Sequence, residues 1–338
     1  MDLLTVSGAI REAVSEWAAA RPLEAACAEL ASPSELALQL AAAVRQRLEP
    51  GQLGDPWAFL HANGFATLPG VFDPAELSDT PEAFFPIPAS SGTVRARAAM
   101  LAFIGLLDLD AVSYGSENNG ELFVNLVTLP GEGLFATKSR KSMHGHTDAV
   151  SFPPRGYTSA SFPNIAPSPD VVCLAALRNP DGVPTTVMPL PALVAALSPE
   201  QMAELKKAQF SVRSQKTFIT GTKRLLGEEL VEVDVEILLD TTDGTWIRYS
   251  HSSVDAAADD SEAAIEALNI ACAGAATHVV LQPGDLLIVS NRTALHGRAE
   301  VGGDPGGTSR WLMRSYGLKT EELAEAQRYA DSSHMLFP

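Results

Sequence analysis

The chain is poor in cysteine, in positive charge and in long apolar runs, and each shortage excludes a class of protein. Its three cysteines, Cys27, Cys173 and Cys272, form no C-x-x-C pair, and an odd number cannot close a disulfide framework. A reducing, cytoplasmic setting is therefore expected. Lys+Arg number 24 against 41 Asp+Glu, for a net charge of −17. That balance argues against a phosphate backbone or an anionic membrane, so neither nucleic acid nor lipid is expected as a partner. No basic stretch followed by an apolar one opens the chain, so no leader peptide is expected. No uncharged apolar run approaches the ~18 residues of a membrane span. Also missing are the G-x-x-x-x-G-K-[ST] loop, G-x-G-x-x-G, the G-x-S-x-G elbow and H-E-x-x-H, which leaves P-loop phosphoryl transfer and α/β-hydrolase chemistry without support.

What the chain does have is core. Apolar residues make up 46% of its 338 residues, enough for one large globular domain over 1–338. Residues 1–60 read as a helical flank. Ile10, Val14 and Trp17 recur at helical spacing; Ser32-Pro33-Ser34-Glu35 reads as a capping box opening a helix, with Leu36, Leu40, Val44 and Leu48 on one face and Pro50-Gly51 as its stop. From about 64 to 320 the texture is β: 171–177, 185–190, 231–238, 246–249, 278–281, 286–289 and 311–318 read as short strands. Pro283-Gly284 marks a type II turn. Helices start at Ser198-Pro199-Glu200-Gln201 and around Ile265 and Leu268, the latter with Gly274 as a possible end. Strands and helices do not alternate regularly, so a β-sandwich or barrel dressed with helices is expected rather than a doubly wound sheet.

Among the histidines, His146 stands out because Asp148 is two residues on. On an extended strand, residues i and i+2 share a face, so an imidazole and a carboxylate can converge on one ion. His296, in NRTALHGR, can supply the second imidazole from a distant strand. Two His and one carboxylate on one side of a metal leave positions open, the arrangement of non-haem Fe(II) oxygenases. Fourteen residues past His296, the segment SRWLMRSYG sets Arg310, Leu312 and Arg314 on one strand face. Two arginines pointing into a β core are costly unless they meet anions.

Taken together, HTD, LHGR and R-W-L-x-R resemble the Fe(II)/2-oxoglutarate dioxygenases of the clavaminate synthase and taurine dioxygenase superfamily, in particular the branch that hydroxylates free amino acids. The resemblance runs from about Gly120 to Leu318 and includes CLAALRNP and LQPGDLLIVSNRTALHGR. It implies a distorted double-stranded β-helix (jelly roll) flanked by helices, with Fe(II) held by His146, Asp148 and His296. It further implies 2-oxoglutarate as cosubstrate, O2 as oxidant, and release of succinate and CO2. Arg310 would pair with the distal carboxylate of 2-oxoglutarate, a bidentate match that Lys could not reproduce. Thr185 would bond the same carboxylate, with Thr186 a neighbouring candidate. Arg314 would hold the carboxylate of a small-molecule substrate, and Asn125 would offer it a polar contact.

The pattern departs from the branch in three places. Its members commonly carry Glu where this chain has Asp148. Where arginine and lysine hydroxylases offer acids, this chain reads Ser250, His251 and Ser252; upstream of HTD, TKSRKS is basic. A neutral or anionic substrate side chain is expected, with a sulfonate, phosphonate or nucleotide as the alternative should TKSRKS line the pocket. A non-catalytic cupin-like barrel is the rival from another class, since His144 and His146 could imitate its H-x-H. Its glutamate is missing: residues 149–152 are Ala-Val-Ser-Phe.

Overall fold

The computed structural model describes residues 1–338. Four helices come first: α1 (Leu3–Ala19), α2 (Leu23–Glu29), α3 (Pro33–Arg45) and α4 (Pro56–Asn63). Then follow β1 (Phe65–Leu68), α5 (Ser91–Leu106), β2 (Asp110–Tyr114), β3 (Val124–Val127), the short α6 (Leu134–Arg140) and β4 (Met143–His146). After β5 (Val171–Arg178) and β6 (Thr185–Pro189), an excursion carries α7 (Leu190–Ala195), α8 (Pro199–Leu205), β7 (Phe210–Arg213), α9 (Lys216–Leu226), β8 (Val231–Val235), β9 (Leu238–Thr241), β10 (Gly244–Ile247), β11 (Val254–Ala256) and α10 (Asp259–Ala275). The chain returns through β12 (Thr277–Val279), β13 (Leu286–Ser290), β14 (Ala294–Arg298), β15 (Trp311–Leu318) and β16 (Met335–Leu336).

Two sheets matter for the site. The larger has the order β1-β13-β5-β15-β2-β16, with β3 also paired to β15; the smaller runs β12-β6-β14-β4. Alternation along the strands sorts their side chains into two layers. Val172, Leu174, Leu287 and Leu312 face inward and share a core with Val187 and Ala294 of the smaller sheet. Cys173, Ala175, Ile288, Trp311 and Met313 face outward, against Ile10, Leu40 and Phe103 of the helices. Each large side chain so buried contributes about 1.5–3 kcal/mol.

The helix at the centre of that outer layer, α5, has no amphipathic stripe to read: 13 of its 16 residues are buried. A helix surrounded by protein needs no polar face. Gly105 lets α3 approach it, because a Cβ there would stand 2.5 Å from the Ala37 carbonyl oxygen.

Local signals fared unevenly. Ser198 and Gln201 do form a capping box on α8, and Gly284 takes a positive φ of 96° in a turn closed by the Asp285 N–H on the Gln282 carbonyl. Ser32, by contrast, makes no side-chain cap; Pro33 begins the helix without it. That helix stops at Arg45, short of Leu48 and of Pro50-Gly51. The expected strand at 231–238 is broken at Glu236 and Ile237, between β8 and β9, just after Asp234 within β8 takes a φ of 53°. Gly274 does not end α10, which runs on to Ala275. No helix is long and apolar enough to cross a membrane.

Candidate metal centre

His146 ends β4 and lies directly across from His296 on β14, so strand pairing alone brings the two imidazoles together, with ring centroids 4.4 Å apart. Asp148 follows on a tight turn held from both sides. Asn291 accepts from the Asp148 N–H at 2.8 Å and donates to its carbonyl at 3.0 Å. Gln215 accepts from the Ala149 N–H at 2.8 Å and donates to the Thr147 carbonyl at 3.0 Å. The turn brings the Asp148 carboxylate to 3.7 Å from His146 Nε2 and 3.6 Å from His296 Nε2. These separations are too long for hydrogen bonds.

Ligand atoms of all three residues lie within 4.8 Å of one another, and all three side chains are buried. Their chemistry fits a metal. The His146 Nδ1 is 2.9 Å from the His144 carbonyl, so its proton belongs there and Nε2 keeps its lone pair for the cluster. Burial and the neighbouring His296 lower the His146 pKa to about 4, leaving it neutral near pH 7. Burial by itself would raise the Asp148 carboxyl, but His296, Arg314 and His146 hold it below the usual carboxylate range. The neutral His146 imidazole and the Asp148 carboxylate are ready to bind a cation without first losing protons.

The cluster opens on a cavity of about 140 Å³, whose walls include Thr185, Arg310 and Arg314. Arg310 is 5% exposed, enters no ion pair, and its Nε has no hydrogen-bond partner. Burial and the nearby Arg298 lower its pKa to about 9, the mark of a buried cation short of an anion. Arg314 differs: its Nη2 donates to Glu117 Oε2 at 2.6 Å and its guanidinium sits 4.3 Å from the Tyr316 ring centroid. Burial opposes its charge, but Glu117, Tyr316 and Asp148 more than offset this, and its pKa stands above the ordinary value. The second Glu117 oxygen, Oε1, is buried without a partner.

The fold separates Thr185 from Thr186: the former lines the cavity, whereas the latter packs toward Gly297. Asn125 corrects the sequence reading. Its register partner is Met313, so it points to the outer layer, donating to the carbonyls of Ala83 and Pro86 and accepting from Trp311 Nε1 at 2.8 Å. With those bonds spent on holding the 83–86 segment, it makes no wall of the cavity.

Lys138 and Ser139 of TKSRKS do line the cavity, on α6. Arg298 moors that helix by donating to the carbonyls of Lys138, Ser139 and Lys141 at 3.1, 2.8 and 2.9 Å. Gly297 beside it has no space for a side chain: a Cβ would meet the Met143 carbonyl at 2.3 Å. Sequence reasoning missed Glu117, Gln215, Asn291 and Arg298. Only Asn291 and Arg298, the two ends of NRTALHGR, lay in a motif that could have flagged them.

The chain is similar to known proteins. The L-asparagine oxygenase of Streptomyces coelicolor is 27% identical over 259 residues, covering 73% of this chain and 70% of that protein. The L-lysine 3-hydroxylase of Catenulispora acidiphila is 24% identical over 312 residues, 90% of this chain and 80% of that protein. The crystal structure of asparagine oxygenase with Fe(II), 2S,3S-3-hydroxyasparagine and succinate superposes with a TM-score of 0.76 at 23% identity, over 98% of this chain and 97% of that one. A non-heme iron oxygenase with Fe, succinate and (3S)-hydroxy-L-Arg gives 0.74 at 21% identity, with the same coverage. These superpositions establish a shared fold. The family model for taurine catabolism dioxygenases matches residues 58–316, well over half of the chain, and the protein belongs to that TauD, TfdA family.

Proposed function

We propose that the protein is an Fe(II)- and 2-oxoglutarate-dependent oxygenase that hydroxylates a C–H bond of a free L-amino acid or close derivative. The core is read as a distorted double-stranded β-helix, for which the two sheets sharing one interior are the support. The observation that carries the functional reading is the presence, in one cavity, of a buried His146–Asp148–His296 cluster and of Arg310, a buried guanidinium without an anion.

His146, Asp148 and His296 would hold Fe(II). When bound, the metal supplies activation of O2 coupled to decarboxylation of 2-oxoglutarate to succinate and CO2. Arg310 takes the distal carboxylate of 2-oxoglutarate, with Thr185 beside it, which supplies the missing counter-charge. Arg314 takes the substrate carboxylate, and Glu117 keeps its guanidinium in place. The free Glu117 Oε1 is a buried acceptor suited to an ammonium, so the Arg314–Glu117 pair complements the two charged groups of an amino acid. Holding both groups fixes a small molecule and so limits which carbon is presented to the metal. The L-asparagine oxygenase and L-lysine 3-hydroxylase relatives support an amino acid as substrate class. Three cysteines without a disulfide suit a reducing cytoplasm.

Anaerobic addition of Fe(II) and 2-oxoglutarate should produce the weak visible charge-transfer band of the chelated cosubstrate, followed in air by succinate release with a subset of free amino acids. A protein that gives no band under those conditions is not this enzyme.

A further inference from the structure

A second cavity, of about 250 Å³, adjoins the first and shares Lys138, Met143, His146 and Gln215 with it. Its walls carry Lys138, Lys141 and Lys216 and the imidazoles of His144 and His251, with no carboxylate among 13 lining residues. In a chain with 41 acidic residues that is a sharp local reversal. The remaining lysines make the contrast plain. Lys206, Lys207, Lys223 and Lys319 each pair with a carboxylate. None of the three mouth lysines does, and these seven are all the lysines of the chain.

We infer that this mouth is an anion subsite that takes a second acidic group, a carboxylate, phosphate or sulfonate, on the substrate whose amino-acid end sits at Arg314. The inference rests on the amino-acid reading above for what occupies the iron end. Lys138 joins the two compartments, since it lines both. Burial lowers its pKa, as expected for an ammonium that lacks a counter-charge. Its helix is not a loose flap: Arg298 bonds three carbonyls at the C-terminal end of α6. From the other side, α9 begins at Lys216, so its N-terminal dipole adds to the positive potential. A long basic side chain would meet three ammonium groups here and no acid, which excludes the cationic substrates that the Ser250–Ser252 segment had already made improbable.

Calorimetry on the anaerobic Fe(II)·2-oxoglutarate enzyme provides the test, with L-aspartate, L-glutamate, O-phospho-L-serine and L-cysteate against L-asparagine, L-glutamine, L-lysine and L-arginine. At least one acidic ligand should bind ~tenfold or more tightly than its neutral isostere, the equivalent of about 1.4 kcal/mol. The ranking among carboxylate, phosphate and sulfonate then names the source. Lys138→Met should cut the acidic-to-neutral ratio about tenfold, whereas Lys138→Arg should largely restore it. Tighter binding of asparagine, lysine or arginine than of every acidic ligand would overturn the subsite, as would a Lys138→Met variant that weakens all ligands equally. Should no amino acid bind at all while inorganic phosphate still raises Tm in a Lys138-dependent way, the subsite stands and the amino-acid reading falls.

Discussion

The iron end of the cavity and its mouth are both rich in charge, but only one of them answers its own charges. At the iron end, His146 and His296 surround Asp148, and Arg314 has Glu117. Beside them in the same cavity Arg310 has no anion, and around the mouth Lys138, Lys141 and Lys216 have none. An unpaired buried cation such as Arg310 is expensive, so a protein keeps one where a ligand will complete the pair, whereas Lys141 and Lys216 stand exposed at the entrance. Compensated charges therefore describe what the fold builds for itself, and uncompensated ones describe what it binds.

The most severe way to break this contrast is to remove the anion at the compensated end. Asp148→Ala should reduce amino-acid-dependent succinate formation to background, with loss of the charge-transfer band; undiminished turnover would end the metal assignment. Next comes the uncompensated arginine. Loss of a charge-assisted pair costs about 2–5 kcal/mol, so Arg310→Ala should raise the 2-oxoglutarate concentration needed for half-maximal rate by at least tenfold, and an unaltered requirement would move that role to Arg314.

A smaller effect concerns protons. His146 has its folded pKa lowered from 6.5 to about 4. The unfolded chain thus takes up a proton where the folded metal-free protein does not. Stability from this group is complete above about 6.5 and falls toward pH 4, by about 1.4 kcal/mol per unit. Urea unfolding at pH 7 and pH 5 should show a shallower decline for His146→Gln than for the parent. An identical decline in the two proteins would remove His146 as its source.

The smallest effect tests a residue that belongs to neither end. Asn125→Ala should lower stability by about 1–3 kcal/mol, because it leaves the Trp311 Nε1 and two carbonyls short of partners. KM for the amino acid should not change. A changed KM with intact stability would return Asn125 to the substrate.

The arginine pair was legible because it rests on the two-residue repeat of a strand, which needs no tertiary information. The expectation that His146 and Asp148 share an extended strand did not hold: β4 ends at His146, and Asp148 reaches the cluster from the turn that Asn291 and Gln215 fix. Asn125 was misread for the complementary reason: which face of β3 looks inward depends on its register with β15, and a four-residue strand does not display that. Glu117 lies in a turn where Asn118 and Asn119 take positive φ, so no periodicity points it at Arg314. The seven residues of α6 are too few for a helical stripe, so TKSRKS read as a basic segment whose place relative to the pocket stayed open. Conversely, α5 went unnoticed because burial on all sides erased the pattern by which helices are found.

The mooring of α6 by Arg298 has one more consequence. Its three hydrogen bonds go to carbonyl oxygens, which every amino acid possesses. The anchor reads the main chain and is blind to the side chains it holds. Mutational drift can therefore exchange Lys138 for a residue of other charge or size while the wall it stands on stays where it is. Ser139 is less free, because its hydroxyl bonds the Leu129 N–H and the Ala136 carbonyl. The residues proposed for Fe(II) and 2-oxoglutarate, His146, Asp148, His296 and Arg310, lie on or beside β4, β14 and β15, which such changes leave untouched, so new substrates can be tried without putting that chemistry at risk.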